Sequence, residues 1–235
     1  MNYVLPKVNI SYKENDTPCS NQTNSLQQYL NTFEPTSEIE NTIITLSKYK
    51  PKSNSFFVML ELLHSNRVPD TTEISYLGSD ACLEAFDWIK KNISFKLRTK
   101  STQLIIGDID NFKEQVLHVL NHQIAGGMCF LRIPDTTQQD TIQLIYVLCA
   151  CYENVHICKP RAISNSSLVK YIVCTQFKKI VHIDNYDKLM LPYYFMNKIN
   201  ELNAMYGQIQ FEYLQYTDNS KEKWIHWCSE FSIPI

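Results

Sequence analysis

The chain has 235 residues, of which 44% are apolar and 20% charged. That is enough apolar material for a sizeable core and excludes wholesale disorder. The net charge of −2 lacks the overall basic excess of a free-standing nucleic-acid binder and leaves only a local basic face open.

Residues 1–25 are polar, with Asn, Thr, Ser and Pro recurring, and read as an extended arm. From Ser37, Ile39, Ile43, Ile44 and Leu46 fall near helical spacing, with Ser37 and Glu40 as a capping box. SFFVMLELLHSN predicts a second helix, closed by Pro69. The period then changes. EISYLG (73–78) is a short strand, DACLEAFDWIKKN (80–92) a helix, ISFKLR (93–98) a short strand, and STQLIIGD (101–108) a strand ending on Asp108. NFKEQVLHVLNHQ (111–123) is helical, with Val116, Val119 and Leu120 inward. GMCFLRIP (127–134) is a nearly all-apolar strand, as burial on both faces requires. A helix over 136–152 follows, then strands NVHICKP (154–160) and VKYIVCTQF (169–177). Strands alternating with helices predict an α/β fold with a mainly parallel sheet. The last two strands have no helix between them and are expected to be antiparallel. The stretch 185–230 is helical, with Phe195, Ile199, Leu202 and Met205 on one helix. Ser220 is a possible cap for the next, where Trp224, Trp227 and Phe231 form a stripe expected in the core. The expected organisation is an arm (1–36), an α/β domain (37–184) and a helical C-terminal extension packed on it (185–235).

Average usage would give about 16 glycines in this length, but there are 5. No window holds them at the spacing of G-x-G-x-x-G or G-x-x-x-x-G-K-[ST], which excludes those phosphate loops. The 8 cysteines include no C-x-x-C pair. Several lie inside apolar runs and read as reduced, buried thiols rather than zinc ligands. The opening residues show no apolar secretory stretch, and no run approaches 18 apolar residues, so a reducing cytoplasm is expected. His118 and His122 lie four apart on a helix with no third ligand in view, so no metal is expected.

In open α/β sheets ligands sit beyond the carboxyl ends of the strands. The residues there are Gly78, Ser79 and Asp80; Asp108 and Asp110; Arg132 and Asp135; Lys159 and Arg161. Asp108 and Asp110 read either as a Mg²⁺ pair or, preferably, as a strand-end Asp plus a helix N-cap. Within 126–177 the order is Gly126-Gly127, an apolar strand, Lys159-Pro160, Ser164, Ser166-Ser167 and Tyr171-Ile172-Val173. This order resembles the C-terminal half of the FtsJ-type RNA ribose 2′-O-methyltransferases. SYLGSD resembles that family's first strand and cofactor loop, and LIIGD its central-strand Asp. The resemblance implies a Rossmann-like methyltransferase sheet, mainly parallel with an antiparallel last strand.

The family's catalytic set is Lys-Asp-Lys-Glu, in which the second Lys takes a proton from a ribose hydroxyl and needs a depressed pKa. Carried over, the first Lys falls near Lys52, the Asp on Asp108, the base on Arg132 and the Glu on or next to Val169. Arginine stays protonated and cannot accept that proton. The S-adenosylmethionine loop, Gly78, Ser79 and Asp80, lacks a second glycine and a proline. The stretch from Gly78 to Asp108 is also too short for the usual strand–helix–strand of the cofactor half. A shortened fold without a base is similar in type to the small, regulatory subunit of poxvirus-type mRNA-capping enzymes. The resemblance therefore implies a silent partner of a large cap-methyltransferase subunit in viral capping machinery, in the cytoplasm, virion or viral factory, with no cofactor bound. One alternative is an active, divergent 2′-O-methyltransferase using S-adenosylmethionine, with Lys159 as base. Another is an RNA-binding module whose basic face is Lys159, Arg161, Lys170, Lys178 and Lys179.

Overall fold

A computed structural model describes residues 2–10, 43, 45–66, 68, 73–78, 81–89, 96–97, 102–164, 167–178, 188–215 and 221–235. Seven strands form one sheet: β1 (Asn2–Val4), β2 (Glu73–Leu77), β3 (Lys96–Leu97), β4 (Thr102–Gly107), β5 (Gln123–Ile133), β6 (Tyr152–Cys158) and β7 (Lys170–Phe177). The helices described in full beside them are α1 (Ser55–Ser65), α2 (Ala81–Ile89), α3 (Phe112–His122), α4 (Gln139–Cys151), α5 (Tyr193–Gln215) and α6 (Lys221–Glu230). The expected α/β architecture is present, and, the start of β5 apart, the described helices and strands from 55 to 177 overlap the segments that the hydrophobic periods mark.

The strand order is β1-β6-β7-β5-β4-β2-β3. The central pairs β5–β4, β4–β2 and β2–β3 are parallel. β7 runs antiparallel to both neighbours, β5 and β6, as the missing crossover helix predicts.

Period-two alternation explains how one sheet builds two cores. Ile105, Cys129, Leu131, Ile172 and Cys174 point to one face, against α3, α4 and Phe195, Ile199 and Leu202 of α5. Leu104, Ile106, Phe130, Tyr171 and Val173 point to the other, against α1, α2 and Trp224, Trp227 and Phe231 of α6. The expected aromatic stripe is core, with Trp227 1% exposed. The two C-terminal helices cover opposite faces. Of the eight cysteines, Cys129, Cys149, Cys151, Cys158, Cys174 and Cys228 are buried free thiols. Burial pushes the Cys158 thiol up to about 12, which makes it inert.

Two departures have local causes. Residues 2–8 of the expected arm are built into the sheet, and 11–36 lie outside the described residues. β1 pairs with the edge of β6, the Leu5 N–H donates to Val155 O at 2.9 Å, and Leu5 and Val8 are buried. Three residues carry too little pattern to announce a strand; the open backbone edge of β6 recruits them. β5 also begins four residues before the expected strand. Gln123 inserts its side-chain amide against Thr102 O and Gln103 O at 2.9 and 3.0 Å, and the β4–β5 register slips beside it. The expected cap Ser37 and Ser220 lie outside the described residues.

Candidate functional site: the strand-end cleft

The carboxyl ends of β4 and β5 are tied together from below by Gln115 of α3. Its amide donates to Ile109 O at 2.6 Å and Arg132 O at 3.1 Å, and its Oε1 accepts from the Arg132 N–H at 3.1 Å. The amide reaches this position only because residue 107 is glycine: a Cβ there would lie 2.2 Å from Gln115 Oε1. Gln115 is fully buried on an otherwise apolar helix face, a departure visible in the sequence.

Above that clamp is a cleft of ≈ 140 Å³ whose polar lining is Asp108, Arg132, Tyr171, Asn54, Ser55 and Ser167. Tyr171 stands opposite Arg132 across β7 and β5 and donates its hydroxyl to Asp108 Oδ1 at 2.6 Å. Burial, then the adjacent Asp108 carboxylate, pushes the Tyr171 phenol well above its usual range, so it is a fixed donor. The Arg132 guanidinium is 3.1 Å from Asp110 Oδ1. Asp110 therefore serves as the ion-pair partner of Arg132. The N-cap of α3 is the next residue, Asn111, whose side chain accepts from the Glu114 N–H at 3.2 Å. Val169 lines the same cleft.

Three of the four carried-over positions thus meet in one cleft: Asp108, Arg132 and Val169. Lys52 does not join them. It lines a different depression with Tyr49, Glu84, Asp87 and Trp88, and its backbone N–H donates to Glu84 Oε2 at 3.0 Å. The start of α1 reaches the Asp108 cleft through Asn54 and Ser55 instead. Gly78 follows β2 with φ +154°, and a Cβ there would meet the Tyr76 hydroxyl at 2.7 Å and Asp108 Cβ at 3.1 Å. Side chains already occupy the space beside that turn. Ser79 and Asp80 lie outside the described residues.

The four described basic residues, Lys159, Arg161, Lys170 and Lys178, do not form one face. Lys170 is 3% exposed and donates to Leu168 O at 3.0 Å and Thr136 Oγ1 at 3.3 Å. Thr136 is itself held by Asn203 of α5. Arg161 is tied to Glu61 at 3.5 Å and to Glu230 at 2.9 Å. Lys178 pairs with Glu153 at 3.2 Å, at the end of β7 opposite Lys170. Lys159 is partly buried and donates its ammonium to Ser167 O. Lys179 lies outside the described residues. Period two and the strand direction, which spacing along the chain does not reveal, scatter these charges.

Glu61 was missed by sequence reasoning. It is the single charge in the apolar run of α1, and its carboxylate accepts from the Arg161 N–H at 2.9 Å, the Ala162 N–H at 3.2 Å and Trp227 Nε1 at 3.3 Å. It thereby holds the loop after β6, which supplies Ala162, Ile163, Ser167 and Val169 to the cleft wall. A lone Glu in an apolar helix was the available signal.

His118 and His122 stack at 4.3 Å, and His118 Nε2 lies 2.8 Å from Ser75 Oγ. Among the described residues no group of three or more His, Cys, Asp or Glu is placed to hold a metal ion. Among them, too, no helix is long and apolar enough to cross a membrane. No family model and no curated protein matches this chain.

The chemistry available in the cleft follows from its donor set. Arg132 offers only donors. Tyr171 occupies one oxygen of Asp108. The cleft can hold a small polar group by hydrogen bonds, but Arg132 cannot act as its proton acceptor.

Proposed function

We propose that this chain is a catalytically silent, methyltransferase-like protein that serves as the regulatory or structural partner of an mRNA cap methyltransferase in viral capping machinery. The observation that carries this reading is the content of the strand-end cleft: Arg132 and Val169 stand beside Asp108 where the FtsJ-like pattern needs an amine base and a carboxylate. A guanidinium cannot take a ribose proton at neutral pH. The reading draws support from the mainly parallel sheet with its antiparallel last strand. It is also supported by the short first half: among the described residues, β2, α2 and β3 are the elements between α1 and β4. The filled space beside Gly78 does not fit an S-adenosylmethionine turn, which needs close backbone approach.

The test is isolation of the native complex, with identification of the bound large chain and calorimetric titration of the isolated protein with S-adenosylmethionine. A cap-methyltransferase partner and no heat of binding are expected. Stoichiometric cofactor binding, with methyl transfer abolished by Asp108→Ala, overturns the reading.

One observation favours the active alternative. Burial and the neighbouring Lys170 pull the Lys159 ammonium down to about 7, into the range of a general base. Under that alternative Lys159→Ala abolishes RNA methylation by the complex. Under the proposal it leaves methylation intact.

A further inference from the structure

The Asp108 cleft carries hydrogen-bonding groups that the fold itself leaves unused. Asp108 and Arg132 continue the alternation of Ile106 and Phe130, so both project to the α1 face of the sheet. Tyr171 is the register partner of Arg132 and projects to the same face. Its hydroxyl fixes Asp108 Oδ1 at 2.6 Å, and Asp110 takes Arg132 Nη1 at 3.1 Å. Among the described residues nothing meets Asp108 Oδ2, or Arg132 Nε and Nη2. Burial and Asp108 push the Tyr171 phenol up and the Arg132 guanidinium pulls it back, so carboxylate, phenol and cation are neighbours. One free carboxylate oxygen and one free guanidinium edge therefore share the cleft, beside apolar walls from Ile43, Phe57, Val58, Ile163 and Val169.

We propose that this cleft binds a free apolar α-amino acid as its zwitterion, with the ammonium on Asp108 Oδ2 and the carboxylate on the Arg132 Nε–Nη2 edge. One carbon separates the two charges of an α-amino acid, so its receptor needs an anion and a forked cation side by side. Asp108 and Arg132, joined through Tyr171, are such a pair. The planar guanidinium edge matches a carboxylate with two parallel hydrogen bonds. Asn54, whose side chain makes no cap bond at the start of α1, and Ser55 stand at the same cleft as further polar partners.

Charge selects against the simpler ligands. A phosphate or a plain carboxylate that reaches Arg132 also meets Asp108 and Asp110, and a plain amine that reaches Asp108 also meets Arg132. A zwitterion adds no net charge and sets each of its charges against the opposite one. The ligand's side chain then lies on the apolar walls, where burial favours it. The volume of ≈ 140 Å³ is close to that of a cavity of about 150 Å³ that takes a benzene-sized guest. It suits one amino acid and not an amino acid joined to a nucleoside. Amino-acid binding here is independent of the methyltransferase-like reading, which falls on S-adenosylmethionine binding instead.

The experiment is calorimetric titration of the full chain with L-valine, L-leucine and L-methionine, and with isovaleric acid and isobutylamine. The last two keep the valine side chain with only one of its charges. At least one amino acid is expected to bind saturably. Isovaleric acid and isobutylamine should bind at least about tenfold more weakly, the factor carried by one charge-assisted hydrogen bond. Arg132→Met and Asp108→Asn, shown to be folded by circular dichroism, should each weaken amino-acid binding by at least about tenfold. The Asn variant keeps an acceptor oxygen for Tyr171. No saturable heat with any of the three amino acids overturns the proposal. So does equal affinity for isovaleric acid, or an affinity unchanged in folded Arg132→Met. Should the variants not fold, the ligand series on the unaltered protein still decides.

Discussion

Replacing Glu61 tests how the loop after β6 is held. Its carboxylate accepts from two backbone N–H groups and from Trp227 Nε1, at 2.9, 3.2 and 3.3 Å. Ala162 is 5% exposed and Trp227 1%, so water cannot replace the carboxylate at either. Each buried donor left without a partner costs about 1–3 kcal/mol; the Arg161 side chain is 44% exposed and keeps Glu230, so the ion pair itself adds little. Glu61→Ala should therefore lower stability by about 3–5 kcal/mol. Glu61→Gln keeps an acceptor oxygen and should lose about 1–2 kcal/mol. In urea, with a slope of about 2 kcal/mol per molar, the midpoint falls by about 2 M for the Ala variant and by less than about 1 M for the Gln variant. Hydrogen exchange supplies the spatial control: amides of 160–164 and α6 should open first, while β4 keeps its protection. An Ala variant within about 0.5 kcal/mol of the parent, or uniform loss of protection across the sheet, would refute the assignment of Glu61 as the tie between loop, α1 and α6.

The remaining predictions concern the strand ends and pH. Gly107→Ala drives a methyl group into Gln115 Oε1 and should cost about 1–3 kcal/mol in thermal melts. Gln115→Ala in the same chain should return part of that loss, because the two sites share one contact. Tyr171→Phe removes the donor to Asp108 and should cost about 1.5–3 kcal/mol as a charge-assisted bond; an unchanged melt would mean the bond contributes nothing. Lys159 and Lys170 titrate at about 7 and about 8 when folded and at 10.5 when unfolded. The unfolded chain then binds more protons between those values, so stability rises as pH goes from 7 to 8.5. His118 and His156 are drawn below 6.5 by burial, so they add the same sign and stability falls as pH drops below about 6.5. Urea midpoints at half-unit pH steps check both limbs, and Lys159→Met should flatten the upper one.

Much of the architecture was legible because hydrophobic period is a local quantity. The alternation in STQLIIGD and the solid apolar runs GMCFLRI and KYIVC named buried strands, and α3 and α4 followed from helical spacing. The absent crossover between the last two strands gave the antiparallel pair. β1 was not legible, because a three-residue strand has no period and forms only against an edge built 150 residues later.

Of the candidate site, the sequence determined the residue types: five glycines at spacings that match neither G-x-G-x-x-G nor G-x-x-x-x-G-K-[ST], and a guanidinium and an isopropyl group at 132 and 169. Which residues meet was decided only by the tertiary structure. Strand register puts Tyr171 on Asp108, the pleat buries Lys170, and strand direction sends Lys178 to the far end of the sheet. The scarcity of glycine leaves Gly107 where the Gln115 amide must pass. Residue type is a property of one position. Partner, burial and the charge state that follows from them depend on chain segments distant in sequence, and only folding brings those together.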